Sequence, residues 1–307
     1  MSSRPTRTEL LAFVALLAMT AAWGSTFFMI KDIVTRMEVI DLLAVRFGIA
    51  AVALLLIAGR QLKMSRTTLL RGVGLGVLYA IAQILQTTGL AHTSASVSGF
   101  ITGLYVVATP LLGALILKSR IPRLTWLAAG LATVGLGVLS LNGFSIGYGE
   151  LLTLVAAIIY AGHIVALGRL SGPGTAMSLS VVQMCVIAVL CSLAAFVPVS
   201  GTEPGVQLPT SSTDWLIVIY LAVVAGAMTM VLQTWAQARI DPSRAAVVMA
   251  MEPVWAAGFA VALGGEKITV RMIIGGLAIL GAIYLVEIAP RHLASRRSAS
   301  PLEEKIR

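Results

Sequence analysis

The stretch Thr93 to Leu117, TSASVSGFITGLYVVATPLLGALIL, decides how the chain is read. At about 1.5 Å per residue it is long enough to cross a bilayer as one helix. Small and hydroxylated residues recur along it. Ser98, Thr102, Tyr105 and Thr109 stand at i, i+4, i+7 and i+11 and so share one helix face. Pro110 lies inside the run. A related pattern follows later, from Asp241 to Gly264, with Glu252-Pro253 at its middle. Two apolar helices with polar stripes and internal prolines, one in each half, point to a membrane protein whose working site lies between two repeats.

Composition agrees. Of 307 residues, 58% are hydrophobic and only 11% charged, where soluble domains carry about 25% charge. Ten apolar runs can be marked, at 9–30, 40–59, 70–91, 95–117, 124–141, 149–169, 176–198, 214–237, 243–263 and 270–289. The expected architecture is all-α, with ten transmembrane helices. The run that begins at Leu10 follows Arg4 and Arg7 as a signal peptide would, but its length and the spans after it mark a retained first helix.

The net charge of +9 is spread over the segments between runs and the tail. A nucleic-acid partner would need one basic face, so none is expected. With the amino terminus inside, 17 of the 22 Lys and Arg residues fall on the cytoplasmic side. Lys31, Arg36, Lys267 and Arg271 fall outside, and Arg46 sits near the outer end of the second run. This bias predicts an even number of spans with both termini cytoplasmic. The 1–8 segment is then a cytoplasmic amino terminus, and 290–307 a disordered cytoplasmic tail.

Short internal matches divide the remainder. Leu85-Gln86-Thr87 returns as Leu232-Gln233-Thr234 at an offset of 147. Gly130-Leu131-Ala132 with Gly135 returns as Gly276-Leu277-Ala278 with Gly281 at an offset of 146. The expected units are 9–146 and 147–289, each of five spans. Because five is odd, the two are inverted in the membrane, around a central cavity. Inverted repeats underlie many alternating-access transporters.

Several side chains are candidates for that cavity. Glu252 lies about ten residues, or ~15 Å, into its run. A carboxylate at that depth needs a partner, a proton or water. It can meet a cation in the cavity, or accept backbone N–H groups near Pro253. His163 is also deep, and can relay a proton or simply pack. Tyr79, Gln83 and Gln86 form a stripe at i, i+4 and i+7, which must face protein or water. Trp255 stands three residues after Glu252, and Trp23 opens Trp-Gly-Ser-Thr-Phe-Phe in the first run. Pro110 and Pro253 are candidate hinges. Arg46 either snorkels outward or meets Asp41 or a helix end. The glycine pairs Gly72/Gly76 and Gly99/Gly103 suit close helix packing.

Other chemistries lack their signatures. There is no GxxxxGK[ST] loop, no HExxH and no GxSxG. No cofactor and no metal site is expected, and the chain is not expected to be an enzyme. Ser98 with the distant His163 is the one conceivable nucleophile–base pair. Cys185 and Cys191 share an apolar run and suit packing rather than a disulfide framework.

The chain resembles the ten-helix, EamA-type branch of the drug/metabolite transporter superfamily. The resemblance is carried by Trp23-Gly24-Ser25, Arg46-Phe47, Gly89-Leu90, Thr93-Ser94-Ala95-Ser96, Pro110 and Gly130 in the first half. In the second it is carried by Ala245, Glu252-Pro253, Gly265-Glu266 and Gly275-Gly276. Lys118-Ser119-Arg120 replaces the acidic pair that often ends the fourth helix of the first repeat. The resemblance implies a bacterial inner-membrane protein that exports or exchanges small metabolites, most often amino acids, aromatic ones included. It implies a basket of helices lined by the first, third, fourth, sixth, eighth and ninth. Trp23, Tyr79, Gln83, Tyr105, His163 and Glu252 fall on those helices, and Trp255 joins them beside Glu252. On this reading Tyr79, Tyr105 and Trp255 pack around a substrate. Gln83 and His163 orient its polar groups, and Glu252 meets an ammonium or a proton. The expected partners are a small-molecule substrate and the lipid bilayer, with the chain a monomer. A multidrug or nucleotide-sugar carrier is the nearest alternative. Phosphates would call for Lys or Arg near the midplane, where the sequence suggests none.

Overall fold

The computed structural model describes residues 6–59, 62, 64–93, 95–118, 121–140, 147–172, 174–197, 205–264 and 268–287. The tail 290–307, Gly265-Glu266, Lys267, Ser119-Arg120 and Arg4 lie outside the described residues. Among those described, every regular element is helical.

Polar residues start the helices where the chain enters its apolar runs. Thr6 and Glu9 form a reciprocal capping box on α1 (Arg7–Gly24). A short α2 (Phe27–Ile33) continues it, and α3 (Val39–Ala58) returns. Ser65 caps α4 (Arg66–His92), accepting from Thr68 N at 3.1 Å. Then come α5 (Ala95–Gly103), α6 (Tyr105–Leu117) and α7 (Arg123–Ser140). Glu150 accepts from Gly147 N at 2.9 Å at the start of α8 (Tyr148–Leu170), and α9 (Ala176–Ala194) follows. Ser211 caps α10 (Ser212–Ala222), which runs through a π-helical turn (Val223–Met228) into α11 (Thr229–Gln237). Asp241 caps α12 (Pro242–Met249). Then α13 (Glu252–Gly264) and α14 (Val270–Glu287) complete the order. These caps satisfy N–H groups that a bilayer would leave unpaired.

Seven helical stretches among the described residues are long and apolar enough to cross a membrane: Arg7–Ile33, Val39–Ala58, Arg66–His92, Val97–Ile116, Tyr148–Leu170, Ala176–Ala194 and Ser212–Gln237. Two shorter apolar helices, Arg123–Val138 and Val270–Leu285, join them. Outward-facing side chains are apolar, with Leu56, Leu115 and Leu216 exposed by 70% or more. A water-soluble protein would not present such continuous apolar surface.

Breaks in the helices fall near their middles. One separates α5 from α6 at Leu104, and another separates α12 from α13 at Ala250-Met251. Both are tightened by i→i+3 bonds, Leu104 N to Ile101 O at 3.1 Å and Met251 N to Val248 O at 3.1 Å. Leu104 and Ala250 are 146 residues apart, the offset of the glycine matches in the sequence. The repeat therefore preserves the break itself. The prolines do not mark it equally. Pro253 occupies the first turn of α13, where its missing N–H is harmless, while Pro110 sits inside α6, beyond the break.

Helices from the two halves pack together, not as separate bundles. One core joins Phe47 of α3 and Tyr79 of α4 to Met184 and Ile187 of α9. Another joins Phe100, Val106 and Leu136 to Met251 and Ile279. Glycines set the close approaches. A Cβ at Gly72 or Gly76 of α4 would come within 2.7 Å of Val182 or Val186 of α9. One at Gly24, where α1 ends, would stand 2.7 Å from both Glu252 O and Trp255 Cβ. So the end of α1 abuts the break before α13.

Candidate functional site

These helices enclose a cavity whose wall is mostly apolar and aromatic, with a few polar groups set into it. α1 and α2 contribute Trp23, Thr26, Phe27 and Ile30. α4 contributes Tyr79, Gln83, Gln86 and Leu90, and the α5–α6 column contributes Thr102 and Tyr105. Tyr160 and Ile164 face in from α8, Gln233 from α11, and Met249 and Glu252 from the α12–α13 break. Its volume, counted as positions open to the centre of a water molecule, is about 50 Å³, room for only a few waters.

The tyrosines and glutamines brace each other. Gln83 Nε2 donates to Tyr79 Oη at 3.0 Å. Tyr160 Oη donates to Gln86 Oε1 at 2.9 Å, and Gln86 Nε2 donates onward to Thr102 Oγ1 at 3.3 Å. This relay ties α8 to α4 across the two halves, and α4 to α5 within the first. Tyr79 packs edge-on between Phe47 and Tyr160, with ring centroids 6.1 and 6.0 Å away.

Arg46 neither snorkels outward nor pairs with Asp41; of the three alternatives it takes the last, meeting a carbonyl where α10 ends. It is 3% exposed and lines the cavity. The π-helical turn explains how. An i→i+5 turn loosens the carbonyl ladder, and here those carbonyls are met by side chains. Arg46 Nε donates to Leu221 O at 3.2 Å and Nη2 to Ala225 O at 3.5 Å. Trp23 Nε1 donates to the same Ala225 O at 3.1 Å and to Thr229 Oγ1 at 3.2 Å. The guanidinium also lies 4.9 Å from the Phe47 ring centroid. No sequence signal links Arg46 to a turn some 175 residues away. The expectation of no cation deep in the fold is thus corrected.

Glu252 begins α13 and is 7% exposed. Among the described residues its carboxylate has no hydrogen bond and no ion pair, so the alternative of backbone N–H groups near Pro253 is not what this structure contains. Buried polar atoms elsewhere on the wall share this state. Tyr105 Oη and Gln233 Oε1 have no partner within the protein. Buried polar atoms are ordinarily paired, and these three groups on the wall are free to meet polar atoms of a molecule in the cavity.

Of the seven candidates from sequence, Trp23, Tyr79, Gln83, Tyr105 and Glu252 meet at this cavity. His163 and Trp255 stand behind its wall. His163 Nε2 donates to Gln183 Oε1 at 2.7 Å, and Gln183 Nε2 donates to Leu179 O at 3.1 Å. The ring lies 5.3 Å from that of Tyr79, so it supports the tyrosine from outside. It makes no hydrogen bond to Ser98, whose Oγ is buried and unpaired. Trp255, three residues after Glu252 on the same helix, packs with the core of Phe100, Val106 and Leu136 and does not line the cavity. Arg46, Tyr160 and Gln233 are the residues the sequence did not single out for the site. Tyr160 was within reach, since it lies one turn before His163 on α8.

A membrane-embedded bundle of two helical repeats around a buried, mixed polar and aromatic cavity defines a membrane transporter. The chain belongs to the EamA-like transporter family, whose sequence profile matches it twice, over residues 10–141 and 147–288. An "uncharacterized transporter" of Archaeoglobus fulgidus is 30% identical over 280 residues, covering 91% of this chain and 84% of the relative. A "probable amino-acid metabolite efflux pump" of Salmonella typhimurium is 28% identical over 282 residues, covering 89% and 93%. A solved crystal structure superposes with a TM-score of 0.73 at 19% identity, covering 94% of this chain and 99% of the other, and so shares the fold.

Proposed function

We propose that this protein exports or exchanges amino acids, aromatic ones included, across the bacterial inner membrane as a monomer. The ten apolar runs each cross the bilayer, with both termini cytoplasmic, and the units 9–146 and 147–289 form inverted repeats. Transport is by alternating access, facilitative or proton-coupled. The observation that carries this reading is the buried, unpaired carboxylate of Glu252 in a cavity walled by Trp23, Tyr79, Tyr105 and Tyr160. A carboxylate suits an ammonium or a proton, and the rings suit an apolar or aromatic side chain. The likeness to a relative named as an amino-acid metabolite efflux pump supports the substrate class.

The narrow cavity means that the helices must part to admit such a substrate. Because both cores mix the two halves, the moving bodies are not the sequence halves. One body is the α3, α4, α8 and α9 group, and the other is the α5–α7 and α12–α14 group. The breaks at Leu104 and Ala250, close to Pro110 and Pro253, let the second body itself bend where it borders the cavity.

Arg46 gives a nucleotide-sugar carrier a cation to consider. One guanidinium in a cavity that also holds the acidic Glu252 is a poor match for a diphosphate, so amino acids remain the better fit. The test is uptake by purified protein in liposomes, with a panel of labelled amino acids, with and without a proton gradient. Saturable uptake is expected, and flux independent of the gradient marks a facilitator. No flux of any amino acid overturns the substrate class.

A further inference from the structure

Arg46 and Glu252 are the basic and the acidic side chain on the cavity wall among the described residues, and they are not paired with each other. Each is more than nine-tenths buried. A buried charge without a partner is costly. Two opposite charges at one cavity would relieve that cost by closing into an ion pair. Here the fold prevents it. Arg46 is drawn toward α10 and the π-helical turn by its bonds to Leu221 O and Ala225 O. Glu252 is held at the start of α13 by the contact of its backbone with Gly24. Both line the same cavity.

The donors of Arg46 are divided in a telling way. Nε and Nη2 are used on carbonyls, which fixes the plane of the guanidinium. Nη1 has no hydrogen bond among the described residues. A planar fork held in place with free donors is suited to a carboxylate.

We infer that Arg46 binds the carboxylate of the substrate and Glu252 its ammonium, so that the cavity selects zwitterions. This rests on the transport reading above and names the charge pattern its site requires. A zwitterion neutralises both buried charges at once. A ligand with only one charge leaves the other side chain buried and unpaired, and a neutral ligand leaves both. Selection thus comes as much from the unmet charge as from the met one.

The test takes the amino acid of the uptake panel that moves fastest; phenylalanine is the one the aromatic wall favours. Its uptake into liposomes is competed with its amide, its decarboxylated amine and its deaminated acid. Each analogue keeps the side chain and loses one charge. Each is expected to compete about tenfold or more weakly than the amino acid, the effect of one unmet hydrogen bond to a charged group. In Arg46→Gln the amino acid should compete no better than its amide, while the amide is unchanged. Arg46→Lys should restore part of the difference. An amide that competes as well as the amino acid against the wild-type protein overturns the inference without any variant. So does a folded Arg46→Gln protein that keeps the wild-type preference. If Arg46 merely braced the π-helical turn, its loss would weaken all four compounds alike, and that result also overturns the assignment. Failure of every amino acid to move would instead overturn the transport reading, and the inference with it.

Discussion

Replacing Gly24 with alanine sets a methyl group against backbone that cannot turn aside. The new Cβ would stand 2.7 Å from Glu252 O, 2.7 Å from Trp255 Cβ and 2.9 Å from Ala256 N. Ordinary contacts of this kind lie at about 3.5 Å or more, so α1 and α13 must separate by roughly 0.8 Å. Overpacking of that size costs about 1–3 kcal/mol. The displacement also falls where it matters, since Trp23 and Glu252, on either side of the contact, both line the cavity. Gly48→Ala on α3 is the matched control. Its Cβ would meet nothing within 4 Å, and alanine in a helix interior gains roughly 0.5–1 kcal/mol over glycine. The two variants should therefore move in opposite directions in a thermal melt of the purified protein in detergent. Gly24→Ala should also lose flux, and Gly48→Ala should keep it. If Gly24→Ala melts at or above the wild type and transports normally, the close approach of α1 to α13 is wrong.

Other consequences are separable by the same assays. His163→Ala removes the partner of Gln183 Oε1 behind the wall, and should cost about 1–3 kcal/mol in a melt while leaving the ranking of substrates unchanged. Glu252→Gln keeps the shape of the side chain and removes its charge. Flux should fall and lose its dependence on pH, and a wild-type rate throughout the range where carboxylates and imidazoles titrate would refute its role. Gly135→Ala on α7 would drive a Cβ to 2.8 Å from Gly275 O and 2.9 Å from Ala278 Cβ on α14. It should lower the melting temperature without altering selectivity, because that contact lies away from the cavity; a change in substrate ranking would contradict the separation drawn between core and site.

Much of the fold was legible because a bilayer imposes simple rules. Among the described residues each apolar run is helical, and the offset of the glycine matches, read only as a repeat, equals the distance between the two breaks. The i, i+4, i+7 stripe of Tyr79, Gln83 and Gln86 was readable as a face that lipid could not cover, and all three side chains line the cavity. Arg46 was not legible. Its burial depends on carbonyls released by a π-helical turn in the other half of the chain, and neither the turn nor its proximity has a local signature. Trp255 shows the opposite limit. Spacing from Glu252 put it on the same side of the helix, but three residues are about 60° short of a full turn, and Trp255 meets the neighbouring core while Glu252 meets the cavity. His163 was correctly read as deep, yet depth alone could not tell a cavity wall from the layer that supports it.

In the proposed mechanism substrate sits among Trp23, Tyr105, Arg46 and Glu252. A single cysteine at Thr102, placed in a protein with Cys185 and Cys191 replaced by alanine, reports on that space. Its rate of alkylation is measured in liposomes with and without a saturating amino acid, beside a control cysteine at the outward-facing Leu56. Slower alkylation at position 102 with substrate present, and no change at position 56, is the expected result. Unchanged alkylation at position 102, in a protein that still transports the amino acid, would contradict that placement of the substrate.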